Sequence, residues 1–135
     1  MSSYISMPSP RMRLHAWAQL PTLLLLISSA LAREPVCLPR PDIQQKLATL
    51  AKGWHGRLSH EEGYAPPTAF TVCQLHSGLP YADHQLQRIY IRNLAGVNDE
   101  ITLAHEYLHL AFSHHPRGRN ETFIETMALS LVESP

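Results

Sequence analysis

The sequence predicts a small α+β domain that follows an N-terminal export signal. Three stretches have the 3.6-residue apolar spacing of amphipathic helices, and two short stretches between them have the composition or alternation of strands. The part after the signal, residues 33–135, has 103 residues, which suits one domain with a thin core. We therefore expect a short antiparallel sheet packed against helices in a single unit.

Residues 1–32 have the three parts of a signal peptide. Arg11 and Arg13 supply the positive charge, residues 20–28 are apolar with four consecutive leucines, and Ala30-Leu31-Ala32 is a small-x-small cleavage site. The apolar stretch is shorter than the about 20 residues that a membrane span needs, so we expect no stable membrane anchor after cleavage. The predicted location is periplasmic or secreted.

Charge and cysteine content narrow the class of protein further. Without Arg11 and Arg13, nine Lys and Arg residues face eleven Asp and Glu residues, and no basic cluster indicates nucleic acid as a partner. Cys37 and Cys73 are the two cysteines of the chain and would lie in an oxidising compartment. We expect a disulfide, which would stabilise the domain by about 3 to 4 kcal/mol.

The first half of the domain contains one predicted helix and one predicted strand. Asp42 is a suitable cap for a helix with Ile43, Leu47 and Leu50 on its apolar face, and Gly53 is a natural stop. Residues 69–75 are suited to a strand, with Cys73 in it. Residues 76–85 contain Gly, Pro and Asp and are predicted to form a loop.

The second half contains the clearest strand and two helices. Residues 88–92 alternate polar or aromatic residues with isoleucines, as a strand with one buried face does. The next helix starts at Asn98 or Asp99 and ends by His115, because Pro116 disfavours helix at the residue before it. Asn120 is the predicted cap of a last helix that runs to about Val132.

The middle helix carries His105-Glu106-x-x-His109. Residues four apart lie on one face of a helix, so both imidazoles can bind one cation while Glu106 reaches a water on that cation. Most of the helix is apolar, and a buried helix that carries such groups needs a reason, because burying a charge is costly unless it is paired or coordinated. The pattern predicts a zinc site of catalytic type.

Such a site needs a third protein ligand, and three residues are candidates. His115 has the spacing of the third histidine in metzincins, but Phe112 stands where those proteins have the glycine of the turn. Glu121 and Glu125 lie on the last helix. An antiparallel helical hairpin centred near Arg117 would place Glu125 level with His109, so Glu125 is the predicted ligand, with Glu121 and His115 as the alternatives.

Residues 88–132 resemble the core of zincin metallopeptidases, with a strand, the His-Glu-x-x-His helix and a glutamate helix of gluzincin type. The resemblance implies that His105, His109 and Glu125 hold Zn²⁺, that Glu106 is the general base, and that a peptide or protein is the substrate. In zincins an edge strand presents the substrate, which implies that role for residues 88–92. Tyr81, His76 and His114 are candidate oxyanion stabilisers.

The sequence around the motif is also similar to a domain of unknown function in bacterial secreted proteins. The similar segments include Pro-Tyr-Ala-Asp at 80–83 and Gln-Arg-Ile-Tyr-Ile-Arg at 87–92. These proteins are encoded beside bacterial alpha-2-macroglobulin, which implies a periplasmic location and a partnership with that system. Two alternatives to a peptidase remain open: a non-catalytic, zinc-stabilised binding module, in which the metal supplies folding energy, and a metal-free scaffold.

Overall fold

The computed structural model of the protein describes residues 33–134, so the predicted signal peptide over 1–32 lies outside the described residues. The described part is a mixed α+β unit, as predicted. In chain order it contains helix α1 (Pro41–Leu58), strands β1 (Thr71–Gln74), β2 (Tyr81–Asp83) and β3 (Arg88–Ile91), helix α2 (Val97–Ala111), a 3-10 turn (Pro116–Arg119) and helix α3 (Glu121–Glu133).

The sheet has the order β1-β3-β2, which differs from the predicted antiparallel sheet in two ways. Val72 of β1 and Ile89 of β3 pair in parallel, whereas Ala82 of β2 pairs with Ile89 in antiparallel fashion. Strand β3 is therefore central, and the expectation that it forms the sheet edge beside the site is wrong. The edge on that side is β2.

Strand β2 lies where the sequence predicted only a loop. The Asp83 side chain accepts hydrogen bonds of 3.0 Å from the backbone N–H groups of Gln85 and Leu86, which closes a tight turn. Gln87 completes the turn with a φ of 53°. The polar, loop-like composition thus belongs to a hairpin turn, and the strand before it is too short to show a pattern.

Helix α1 is longer than predicted, because it continues through Gly53 to Leu58. Trp54 and Leu58 are both buried and extend the apolar face that begins at Ile43. Their burial outweighs the cost of about 1 kcal/mol for a glycine inside a helix. At the other end, Asp42 lies in the first turn behind Pro41 and forms an ion pair with Arg40, so it is not the cap residue.

The predicted disulfide between Cys37 and Cys73 is confirmed. It joins the extended segment before α1 to β1, and two backbone hydrogen bonds support the same junction: Arg40 N–H donates to the Val72 carbonyl at 2.8 Å, and Gln74 N–H donates to the Leu38 carbonyl at 2.8 Å. The N-terminal end of α1 is therefore fixed to the sheet.

Helix α2 is the most buried of the three helices and packs against α3, β2 and β3. Its residues Leu103, Leu108 and Leu110 belong to the core, and its Tyr107 ring packs against Trp54 of α1 with ring centroids 5.9 Å apart. Ile124, Ala128 and Leu131 of α3 complete the core. Among the described residues, no helix has the length and apolar character that a membrane crossing requires.

Candidate metal centre

His105 and His109 present their imidazoles side by side on one face of α2. Their Nε2 atoms are 3.2 Å apart, and each side chain is about a quarter exposed, which leaves both nitrogens accessible from one side. The prediction that their four-residue spacing would bring the two imidazoles together is therefore confirmed.

Glu121, in the first turn of α3, faces both histidines. Its Oε2 lies 3.1 Å from Nε2 of His105, and its Oε1 lies 3.3 Å from Nε2 of His109. Ligands about 2.0 to 2.1 Å from a zinc ion in tetrahedral coordination are about 3.3 to 3.4 Å from one another. The three groups therefore have the mutual spacing of zinc ligands, and the exposed Glu121 side chain leaves a side open for a fourth.

The 3-10 turn before α3 determines which nitrogen of His109 faces the cluster. Nδ1 of His109 lies 2.8 Å from the carbonyl oxygen of Gly118, which can only accept a hydrogen bond. Nδ1 therefore carries the proton, and Nε2 presents its lone pair to the cluster. A histidine that binds a metal is commonly oriented by such a bond.

Gly118 is required for this close approach. A Cβ atom at position 118 would lie 2.3 Å from the carbonyl oxygen of Phe112, at the end of α2. Two residues later the Asn120 side chain caps α3 by accepting a hydrogen bond of 3.1 Å from the backbone N–H of Phe123. The turn thus folds back on α2 and starts α3 beside His109, which explains the position of Glu121.

Glu106 is the one charged residue among the buried residues of the described chain, with 7% of its surface exposed. Burial raises its pKa from 4.5 to about 7, against opposing effects of His109 and of the backbone N–H of Ala82, while Glu121 raises it further. A carboxyl group with a pKa near neutrality can both accept and release a proton at physiological pH.

These groups line a cleft of about 500 Å³, which is in the size range of small-molecule and peptide subsites. One wall is α2 with His105, Glu106 and His109, and the opposite wall is the β2 hairpin with Tyr81, Ala82 and His84. The 3-10 turn contributes Gly118 and Arg119 at the end beside Glu121. Glu106 therefore lies beside the three potential ligands in one cleft.

The structure does not bring Glu125 to the two histidines. Glu125 is exposed and lies one helical turn beyond Glu121 on α3, and the group of potential ligands that the structure forms is His105, His109 and Glu121. The sequence prediction assumed a symmetric helical hairpin about Arg117. Because the 3-10 turn folds back on α2, the first turn of α3, and not the second, lies level with His109.

The other candidates also have definite positions. His115 points away from the cluster: its Nδ1 accepts a hydrogen bond from the backbone N–H of Arg117 at 3.2 Å, and its Nε2 lies 3.8 Å from Glu62. Of the three candidate oxyanion stabilisers, Tyr81 lines the cleft, whereas His76 and His114 do not.

From the sequence, His84 is a loop residue that could reach a substrate oxygen, whereas other contributors to the cleft are missed, among them the backbone of Ala82, the carbonyl of Gly118 and the side chain of Arg119. Ala82 and Gly118 contribute main-chain groups, which every residue carries, so their residue types do not indicate a role in the cleft. His84 and Arg119 have loop surroundings, and only the course of the chain brings them to the cleft.

The comparison with protein families matches residues 21–117 to a family described as predicted secreted proteins, DUF2300. The match covers well over half of the chain and includes both histidines and Glu106. The chain belongs to the DUF2300 family. The predicted export is in agreement with this family of secreted proteins.

One relative of this DUF2300 protein is the uncharacterized protein YfaQ of Escherichia coli strain K12. The two are 42% identical over 101 residues, which are 75% of this chain and 18% of YfaQ. The chain thus spans less than a fifth of the length of that relative. No solved structure matches the chain.

Proposed function

We propose that this DUF2300 protein is an exported zinc-dependent peptidase of gluzincin type, with His105, His109 and Glu121 as the ligands and Glu106 as the general base. The observation that carries the proposal is the approach of two imidazole nitrogens and one carboxylate to within 3.1 to 3.3 Å of one another, beside a buried glutamate. Two histidines and one glutamate form a ligand set of known catalytic zinc sites.

The donor chemistry is consistent with zinc. Nε2 of His109 lies 3.2 Å from Nε2 of His105, a distance at which a proton or a cation between the two nitrogens is favourable. The carbonyl of Gly118 keeps the proton of His109 on Nδ1, so Nε2 of His109 is available as a ligand to a cation. When bound, zinc supplies a Lewis acid that polarises a carbonyl group and lowers the pKa of a water molecule.

In this proposal Glu106 transfers the proton from the water molecule to the leaving group. Its carboxylate accepts a proton from the attacking water and delivers it to the nitrogen of the leaving amine, for which a pKa of about 7 is suited. The backbone N–H of Ala82, which lowers that pKa, favours the ionised form and holds the carboxylate toward the cleft. Burial keeps bulk water from solvating the base.

Strand β2 is the element that we propose presents the substrate, in place of residues 88–92. It forms the outer strand of the sheet on the side of the cleft, and Tyr81 and Ala82 line that cleft. An extended peptide can pair with such an edge by main-chain hydrogen bonds. A peptide bound there would run along the wall opposite His105 and His109.

The test compares zinc-loaded wild type, Glu106→Gln and Glu125→Gln on a mixed library of quenched fluorescent peptides. We expect Glu106→Gln to lose at least about 100-fold in rate, because general-base catalysis contributes that much, and to retain its zinc. Glu125→Gln, an exposed change on α3, should keep full activity.

An inactive wild type that still holds zinc would contradict the peptidase and leave a zinc-stabilised binding module. A protein that holds no zinc would leave the metal-free scaffold. The partnership with bacterial alpha-2-macroglobulin stays a prediction, and co-purification from the periplasm would test it.

A further inference from the structure

One cationic side chain of the cleft has no part in the proposed catalysis. Arg119 lines the end of the cleft beside Glu121 and is exposed. Among the residues that the structure describes, its guanidinium forms no ion pair, whereas Arg117 pairs with Glu61 at 2.8 Å and Arg88 pairs with Glu34 at 2.7 Å. Arg119 therefore has its hydrogen-bonding capacity available to a ligand.

The backbone on both sides of Arg119 is fixed. The carbonyl of Gly118 accepts a hydrogen bond from His109, and Asn120 donates its N–H to the carbonyl of Arg117 at 3.0 Å and caps α3 with its side chain. The guanidinium thus extends from a constrained position next to the metal ligands. Little backbone freedom would be lost when it binds a ligand.

Charge at this end of the cleft favours an anion. The Glu121 carboxylate is directed to the two histidines at 3.1 and 3.3 Å, and Glu106 is buried on the wall of α2. With zinc at the histidines, the two carboxylates are offset by the ion, and Arg119 leaves the cleft positive. A planar guanidinium binds a carboxylate through two parallel hydrogen bonds.

We infer that Arg119 binds a carboxylate of the substrate, so that this cleft selects peptides with a negative group close to the bond that is cleaved. This inference rests on the proposed peptidase function and names its substrate class. The carboxylate belongs either to the free C-terminus of the peptide or to an acidic side chain. Arg119 is a specificity residue and takes no part in proton transfer.

A binding experiment tests the inference without turnover. The probes are the monohydroxamates of succinic, glutaric and adipic acid, which offer zinc a hydroxamate and carry a carboxylate at three distances, together with the corresponding amides. Dissociation constants are measured by calorimetry on zinc-loaded wild type, Arg119→Gln, Arg119→Lys and Arg92→Gln. Arg92 is a matched control, because it is also exposed but does not line the cleft.

In wild type and Arg92→Gln, at least one carboxylate probe should bind about tenfold more tightly than its amide, as a charge-assisted pair in a partly enclosed site does. Arg119→Gln should lose the difference, and Arg119→Lys should keep only part of it. Equal affinities for acid and amide in wild type, or a preference that survives in Arg119→Gln, would overturn the inference and leave the peptidase intact. Failure of every hydroxamate to bind would overturn the peptidase itself and the inference with it.

Peptide substrates then distinguish the two sources of the carboxylate. We compare kcat/KM for peptides with a free or an amidated C-terminus, and for amidated peptides with glutamate or glutamine at each position around the cleaved bond. Loss of cleavage on amidation assigns the carboxylate to the C-terminus, whereas preference for glutamate assigns it to a side chain. Either preference should disappear in Arg119→Gln, and the absence of both would contradict the inference.

Discussion

Replacing Glu106 with glutamine should stabilise the metal-free protein at alkaline pH. The structure holds the Glu106 carboxyl in a buried position that raises its pKa from 4.5 to about 7, so the folded state resists its ionisation. Below pH 4.5 the group is protonated in both the folded and the unfolded chain and has no effect on their balance. Between these two pKa values the unfolded chain releases the proton first, and the fold loses stability as the pH rises.

The size of the effect follows from the two pKa values. Each pKa unit corresponds to about 1.36 kcal/mol, so the ionised carboxylate costs the fold about 3 kcal/mol above pH 7. Glutamine keeps the shape and an acceptor for the Ala82 N–H without the charge. The variant should therefore exceed wild type in the free energy of unfolding by about 3 kcal/mol at pH 8 and by about 1 kcal/mol or less at pH 5.

Urea denaturation of chelator-treated wild type, Glu106→Gln and Glu125→Gln at both pH values measures this difference. Glu125 is exposed on α3, so its variant should follow wild type at both. A Glu106→Gln protein that is no more stable than wild type at pH 8, or an equal gain at both pH values, would refute the reasoning. A carboxylate that destabilises its own fold would be consistent with the general base that we propose.

Three further predictions concern the stability of the fold. Gly118→Ala should lower the free energy of unfolding by about 1 to 3 kcal/mol and weaken zinc binding, because its Cβ would lie 2.3 Å from the Phe112 carbonyl oxygen. Gly53→Ala should instead raise the free energy of unfolding by about 0.5 to 1 kcal/mol, because a Cβ atom at this position in α1 would meet no atom within 4 Å. Urea denaturation of the two glycine variants measures both changes, and a stabilised Gly118→Ala or a destabilised Gly53→Ala would contradict them. Replacing both Cys37 and Cys73 with serine should cost about 3 kcal/mol in the same assay, and an unchanged unfolding midpoint would show that the disulfide contributes nothing.

The placement of the motif residues on one face of α2, which the sequence predicted, depends on local periodicity alone. His105 and His109 share a face because any α-helix places residues four apart together, and Glu106 follows from the same geometry. The disulfide followed from two cysteines in an exported domain. These inferences need no knowledge of how the elements pack.

The parts that the sequence missed depend on the path of the chain between elements. The third potential ligand changed from Glu125 to Glu121 because the 3-10 turn folds back on α2, and that fold depends on a close approach at Gly118. The parallel pairing of β1 with β3 and the edge position of β2 likewise depend on tertiary packing. Strand β2 has three residues, which is too short for a detectable alternation. Helix α1 continues beyond Gly53 because Trp54 and Leu58 are buried in the core that the other elements form.

Zinc binding to wild type, Glu121→Gln and Glu125→Gln, measured by metal analysis after dialysis and by competition with a chromophoric chelator, tests the central claim most directly. We predict about one zinc ion per chain for wild type and for Glu125→Gln, with equal affinities, and an affinity for Glu121→Gln that is lower by at least about 100-fold. Zinc that is retained by Glu121→Gln and lost from Glu125→Gln, or a wild type that binds none, would contradict the account.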